Sequence, residues 1–325
     1  MKTALTFDDV LLKPQHSTVD SRSNVDISTD VTPSVEIEYP FVSAPMDTVT
    51  GPQLARELAD SGGVGVIPRH GEFKDFDTRI ESVAQVAGPV GVAIGLDEVN
   101  TDLLKTLEAF EADFICVDTA HGHLSKMLDA VYEVSETVEC DVMAGNVATE
   151  EAAIDLYEAG ADAIKVGIGP GSACTTRERT GVGVPQITAT SSVKEGLKRH
   201  TGSAEPTPSV ITDGGMRTAG DMAKALMAGA DAVMHGRLFA ECDEAPNDGE
   251  MYGLASEQVD GSGATEGETR DLSDEQPYVF ERVDEWAEAI RSTCSYCGGL
   301  NLHEARQNAE FVQITSNAVE RNGVH

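Results

Sequence analysis

The stretch GIGPGSACTTR (167–177) places a cysteine, Cys174, at the mouth of a turn built from Gly167, Gly169, Pro170 and Gly171. Ser172 precedes the thiol, and Thr175, Thr176 and Arg177 follow it. Backbone amides in such a turn can cradle a phosphate, and its carbonyls can coordinate a monovalent cation. Loop amides and Arg177 would favour the thiolate, which attacks an electron-poor ring carbon and leaves a covalent adduct for a second step to resolve. Thr175 and Thr176 could relay protons. These residues alone leave two readings open, a nucleophile or a structural thiol. Asp213-Gly214-Gly215 and Gly236-Arg237 add further amides unobstructed by side chains, each just after an apolar run, where a barrel protein binds phosphate.

The elements that must position these residues are legible in the hydrophobic pattern. Strands are expected in FVSAPM (41–46), GVGVIP (63–68), PVGVAIG (89–95), DFICVDTA (113–120), CDVMAGN (140–146), DAIKVGIG (162–169), PSVITDGG (208–215) and DAVMHGRL (231–238). Amphipathic stretches such as GPQLARELADSG, TDLLKTLEAFEAD, EEAAIDLYEAGA and AGDMAKALMAGA lie between them. The alternation predicts an α/β fold, a parallel (β/α)8 TIM barrel, with a doubly wound open sheet as the competing architecture. The near-copies EAGADAIKVG (158–167) and MAGADAVMHG (227–236) favour a ring of repeated units. So does the clustering of glycine and polar residues at the strand ends, which a barrel gathers on one face. Residues 1–325 are read as a single barrel domain. Within it, 241–289, rich in Gly, Ser and acids, forms a mobile active-site flap after strand eight, and 290–325 returns to the barrel.

Composition excludes several classes. The formal net charge is −33, from 56 acidic and 23 basic residues, which repels nucleic acid and anionic membrane surfaces. Spread along the chain, this charge suits high salt and points to a halophilic host. It also means that local positive features must hold any anionic substrate. The six cysteines form no disulfide framework in a chain of this size. Cys116 and Cys140 are expected to be buried small hydrophobes, and the Cys294–Cys297 pair lacks a second pair at zinc-ribbon spacing. No signal-peptide core and no apolar run long enough to span a bilayer is present, so a cytoplasmic protein is expected.

Taken together, LTFDDVLLKP (5–14), SAPMDTVT (43–50), DTAHGH (118–123), AGNVAT (144–149), GIGPGSACTTR, the DGG turn and the C-terminal Tyr-Cys-Gly segment resemble the IMP dehydrogenase/GMP reductase family over nearly the whole chain. That resemblance implies a β/α barrel, a purine nucleotide ligand and a cysteine that bonds covalently to purine C2. The dehydrogenase oxidises IMP to XMP with NAD and water; the reductase converts GMP and NADPH to IMP, NADP and ammonia. Four features resemble the reductase: PVGVAIG runs to DFICVDTA without a CBS pair, the flap lacks an Arg-Tyr dyad, YGLASE (252–257) and TEGET (265–269) match its flap, and IRSTCSY (290–296) matches its C-terminal motif. DTAHGH, GVGVPQIT and Cys297 instead resemble bacterial dehydrogenases.

Carried over residue by residue, the resemblance implies catalysis by Cys174, Thr176 and Glu266, with the last two protonating and expelling the 2-amino group. It assigns substrate binding to Ser43, Ser172, Asp213, Gly214, Gly215, Gly236, Arg237, Tyr252 and Gly267. NADPH would meet Asp118, Thr119, Ala120, Arg69, Ser292 and Tyr296. Carbonyls of Gly169, Gly171 and Cys174 would hold potassium. The resemblance leads to the expectation of a GMP reductase, with a CBS-free IMP dehydrogenase and a non-catalytic purine-nucleotide sensor as the alternatives. A homotetramer is implied by the resemblance alone.

Overall fold

All eight apolar runs become strands, and the strands close into one parallel barrel: β1 Phe41–Ser43, β2 Val64–Ile67, β3 Val90–Ile94, β4 Phe114–Asp118, β5 Asp141–Val147, β6 Ala163–Val166, β7 Ser209–Asp213 and β8 Ala232–His235. Neighbours in the ring follow chain order, and β8 pairs with β1 to complete it. The computed structural model describes residues 3–109, 111–202, 207–247, 249–253, 268–272 and 276–315. Helices α1 Pro52–Asp60, α2 Phe76–Val83, α3 Thr101–Ala109, α4 Ser125–Ser135, α5 Glu150–Glu158, α6 Gln186–Thr201, α7 Ala219–Met227 and α8 Val279–Tyr296 form the outer layer, and α9 Leu302–Asn308 follows. No helix among the described residues is long and apolar enough to cross a membrane.

Strand alternation divides the apolar residues between two environments. Val42, Val66, Phe114, Met143, Ile211 and Met234 point inward and fill the barrel. Val31, Val35 and Ile37 join them from an antiparallel hairpin, Thr29–Thr32 with Val35–Ile37, that closes the end where the strands begin. The outward-facing residues pack beneath the helices; Leu54 and Leu58 of α1 and Met222 and Leu226 of α7 are fully buried there. The N-terminal strand Val10–Leu12 pairs with Phe311–Gln313, so the two ends of the described chain are joined.

The internal repeat has a local cause. Gly160 (φ 101°) and Gly229 (φ 124°) follow α5 and α7 in the left-handed region, which lets each helix stop and the chain turn into the next strand. The aspartate two residues on then accepts an N–H near the start of the neighbouring strand, Asp162 from Val142 at 2.9 Å and Asp231 from Val210 at 2.8 Å. Asp113 does the same for Val90 at 2.7 Å. Cys140 differs from expectation: it precedes β5 and is only half-buried, whereas Cys116 is fully enclosed.

Residues 241–289 contain three described parts. A turn buries Cys242 and Glu244, and Asn247 ties it down by donating to the carbonyls of Thr48 and Ala240, each at 2.9 Å. A hairpin pairs Glu250–Tyr252 with Thr269–Asp271. Helix α8 then starts at Val279, whose N–H is capped by the Glu244 carboxylate at 3.1–3.2 Å.

Trp286 of α8 is 3% exposed and packs against Phe41, Phe239 and His235, with ring centroids 5.4, 5.3 and 5.6 Å away. Trp286→Ala is expected to cost about 3–5 kcal/mol in denaturant unfolding; a loss below about 1 kcal/mol would show that this cluster does not hold α8 on the barrel. Burial pushes His235 from 6.5 down to about 3. The unfolded chain therefore binds this proton over a range in which the folded chain does not, and stability falls as pH drops through that window. His235→Leu should flatten the slope of unfolding free energy against pH between about 6 and 4 relative to the parent, and equal slopes would refute the assignment.

Candidate active site

Polar residues at the C-terminal ends of the strands open onto one cavity of about 1160 Å³. Cys174 lies in its wall, with the sulfur 3.1 Å from the Thr176 hydroxyl oxygen. The Cys174 N–H donates to the Gly171 carbonyl at 3.1 Å, which tightens the turn around the thiol. Arg177 lies within electrostatic range of Cys174, as the sequence suggested, and it also shapes the loop. Its guanidinium donates to the carbonyls of Ile168 at 3.3 Å and Val184 at 2.7 Å, stapling the two ends of the loop. Thr175 is buried and its hydroxyl accepts from Arg179 at 3.1 Å, so of the two threonines only Thr176 lines the cavity.

The expected phosphate corner assembles on the same wall. Ser172, Gly214, Gly215, Gly236 and Arg237 all line the cavity. The loops after β6 and β7 touch, for Gly171 backbone lies 3.5 Å from where a side chain on Gly214 would begin. Gln186, at the start of α6, ties them together by offering its amide nitrogen to the carbonyls of Val166, Asp213 and Gly214 at 3.2, 3.0 and 3.3 Å. Arg237 is paired with Glu241 one turn along its short helix, at 3.0 Å.

Asp118, Thr119, Ala120 and Arg69 form the opposite wall. Arg69 donates to the Asp118 carbonyl at 3.4 Å, and its buried Nε has no partner among the described residues. Burial, reinforced by the Arg69 charge, holds the neighbouring His70 below the ordinary imidazole range. Between the walls lies Lys165 of β6, 1% exposed, bonded to the Asp118 carboxylate and 3.5 Å from Asp213 Oδ2. Burial alone would favour its neutral amine, but the facing Asp118 and Asp213 charges reverse that and raise its pKa. Asn146 donates to Asp213 Oδ2 at 2.8 Å and to the Gly167 carbonyl at 2.9 Å. Asn146 is one of the polar strand ends expected on this face, whereas Lys165 and Gln186 are not singled out from sequence; a lone lysine inside the apolar run DAIKVGIG is the available signal, since a buried ammonium requires an anionic partner.

The flap reaches the site through its described residues. Glu268 N–H donates to the Ala173 carbonyl at 2.9 Å, and Arg270 Nε donates to the Ser172 carbonyl at 3.1 Å. Tyr252 hydroxyl donates to Asp47 Oδ2 at 2.8 Å; burial, followed by that bond, pushes the phenol up to about 12. Tyr252 is flanked by Met251 and Gly253, which line the cavity. Glu266 and Gly267 lie outside the described residues.

Four expected positions among the described residues do not line the cavity: Tyr252, whose two neighbours do, and Ser43, Ser292 and Tyr296. Ser43, at the end of β1, is fully buried and its hydroxyl oxygen accepts from Thr50 at 2.8 Å, so it does not line the cavity. Ser292 and Tyr296 ride on the last turns of α8, away from the cavity, and Tyr296 is 61% exposed. Helix α8 packs on the outside of the barrel, so its side chains do not reach the cavity at the strand ends.

Residues 4–281 match the family model described as the IMP dehydrogenase / GMP reductase domain. The chain is 34% identical over 340 residues to a GMP reductase of Ascaris suum, covering 96% of this chain and 93% of that protein. A GMP reductase of Onchocerca volvulus is 34% identical over 350 residues, covering 98% and 93%. An inosine-5'-monophosphate dehydrogenase of Borreliella burgdorferi is 30% identical over 399 residues, covering 100% and 97%. With a closed parallel barrel, a cysteine loop and a polar cavity at the strand ends, the chain belongs to the IMP dehydrogenase/GMP reductase family.

Proposed function

We propose that this family member is a GMP reductase, converting GMP to IMP and ammonia at the expense of NADPH. The observation that carries the reading is the hydrogen bond from Glu268 N–H to the Ala173 carbonyl. It anchors the end of the TEGET segment one residue from Cys174, the side on which an acid brought by the flap is needed. The Arg-Tyr pair by which a dehydrogenase activates water is missing from the flap sequence. The two reductase relatives also align at higher identity and over fewer positions than the dehydrogenase from Borreliella. A second reading, a dehydrogenase acting on IMP with NAD and water, is favoured by DTAHGH and GVGVPQIT, which resemble bacterial dehydrogenase segments.

In the reductase, Ser172 and the amides of Gly214, Gly215, Gly236 and Arg237 take the nucleotide phosphate, with Asp213 near its ribose. Backbone dipoles do this work without depending on the net charge of the protein. The Cys174 thiolate attacks C2. Thr176, in contact with the sulfur, and Glu266 deliver protons to the 2-amino group, the C2–N bond breaks, and ammonia leaves. When bound, NADPH would provide the hydride that C2 needs, and breaking of the C2–S bond would return Cys174 to its thiolate. Asp118, Thr119, Ala120 and Arg69 would hold that cofactor, and the unpartnered buried Nε of Arg69 fits an anionic group there. Neutral carbonyls of Gly169, Gly171 and Cys174 suit a potassium ion; the Gly171 oxygen keeps a lone pair beyond the one that accepts from Cys174.

Two measurements test this. Protein in high KCl should consume NADPH with GMP and leave NAD unchanged with IMP, followed by absorbance of the reduced cofactor. NADH formation from IMP would overturn the reductase reading in favour of the dehydrogenase, and inactivity with both pairs would favour a nucleotide sensor. Glu266→Gln should lower GMP-dependent turnover by about 10²–10⁴-fold with little change in GMP affinity. Full turnover in that variant would remove Glu266 from the mechanism, whereas Cys174→Ala should abolish either reaction.

A further inference from the structure

We propose that Lys165 is a positioning residue that clamps Asp118 and Asp213 from beneath the cavity, holding the cofactor-side and substrate-side carboxylates as a matched pair and coupling the binding of the two ligands. The inference rests on the functional reading only in assigning Asp118 to the dinucleotide ribose and Asp213 to the mononucleotide ribose.

The barrel register makes the clamp possible. Asp118 on β4 pairs with Gly145 on β5, and Gly145 pairs with Lys165 on β6. A side chain on Gly145 would begin 2.5 Å from Lys165 Cβ, so the glycine leaves the gap across which the lysine reaches Asp118. On the other side Ile211 pairs with Lys165, and Asp213 stands two residues further along β7 at the cavity rim. Lys165 therefore lies between strands that neither acid could bridge alone. Both carboxylates contact its ammonium, at Asp118 Oδ1 and, at 3.5 Å, Asp213 Oδ2. The remaining neighbours do not replace it: Arg69 reaches only the Asp118 carbonyl, and Asn146 is a neutral donor to Asp213. Cys116, below Asp118 on β4, is pushed up to about 12 by burial and stays neutral.

Removing the ammonium would leave two acids facing one mouth with no shared cation. Such a pair repels or takes up a proton, and a protonated carboxyl loses part of its capacity to accept from a ribose diol. Each ligand then loses affinity, and the presence of one no longer benefits from an acid aligned by the other.

The test is titration calorimetry of GMP and NADPH, alone and together, on the parent, Lys165→Met, Lys165→Met/Asp118→Asn and Lys165→Met/Asp213→Asn. Lys165→Met should weaken each ligand by about tenfold or more. Removing one acid relieves the other, so the Asp118→Asn double variant should recover GMP affinity but not NADPH affinity. The Asp213→Asn double variant should do the reverse. This reciprocal pattern does not arise from general loss of structure, and the double variants carry the test should Lys165→Met alone fail to fold. A folded Lys165→Met that binds both ligands like the parent, or double variants without reciprocal recovery, would overturn the clamp. If the parent proves to be a dehydrogenase, IMP and NAD take the place of the two ligands and the same pattern is expected; a parent that binds neither pair overturns both proposals.

Discussion

The contact of one buried ammonium with two carboxylates sets the geometry of the cavity mouth. Asp118, Lys165 and Asp213 come from β4, β6 and β7, and their approach depends on closed-barrel register and on the missing side chain of Gly145. An isolated charge in that position would be expensive to bury; three charges that satisfy one another are tolerable and stiff. The inward aliphatic layer beneath, from Val42 to Met234, supports this polar layer. Packing and electrostatics are therefore continuous along the barrel axis.

The acidic composition imposes a second constraint. With 56 acids against 23 bases overall, the cavity nevertheless gathers Arg69, Lys74, Lys165, Arg217 and Arg237, and several cations in and around it are committed to structural tasks. Arg177 closes the cysteine loop on carbonyls, Arg237 is paired with Glu241, and Arg217 is bonded to Asp8. The loops after β6, β7 and β8 add backbone amides to the same cavity, and their dipoles are independent of surface charge. Gln186 matters in this setting because one neutral side chain joins two of those loops.

The flap joins this rigid frame at two kinds of contact. Main-chain bonds to the cysteine loop, from Glu268 to Ala173, require no particular side chain. The Tyr252–Asp47 bond, by contrast, links the other strand of the hairpin to the loop after β1. The described strands of the hairpin are therefore held on both sides, by the cysteine loop and by the loop after β1.

Much of this was legible in the chain. The eight β-branched runs gave the eight barrel strands because alternating burial on a closed sheet demands such residues. The GIGPGSACTTR loop, the DGG turn and Gly236-Arg237 were assigned to one face, and they line one cavity. The hairpin at 29–37 was missed because its strands are too short to show a period, and helix α2 fell in a stretch whose pattern is weak. Ser43, Ser292 and Tyr296 matched motif positions, yet side-chain direction in the first and helix placement in the others took them out of the cavity. The sequence by itself determined the strands, the nucleophile loop and the amides available to an anion, all of which depend on local residue type. Only the tertiary structure decided that Lys165 joins Asp118 to Asp213 and that Arg177, in range of the thiol, also staples the loop carbonyls, because long side chains choose partners across segments distant in sequence and close in space.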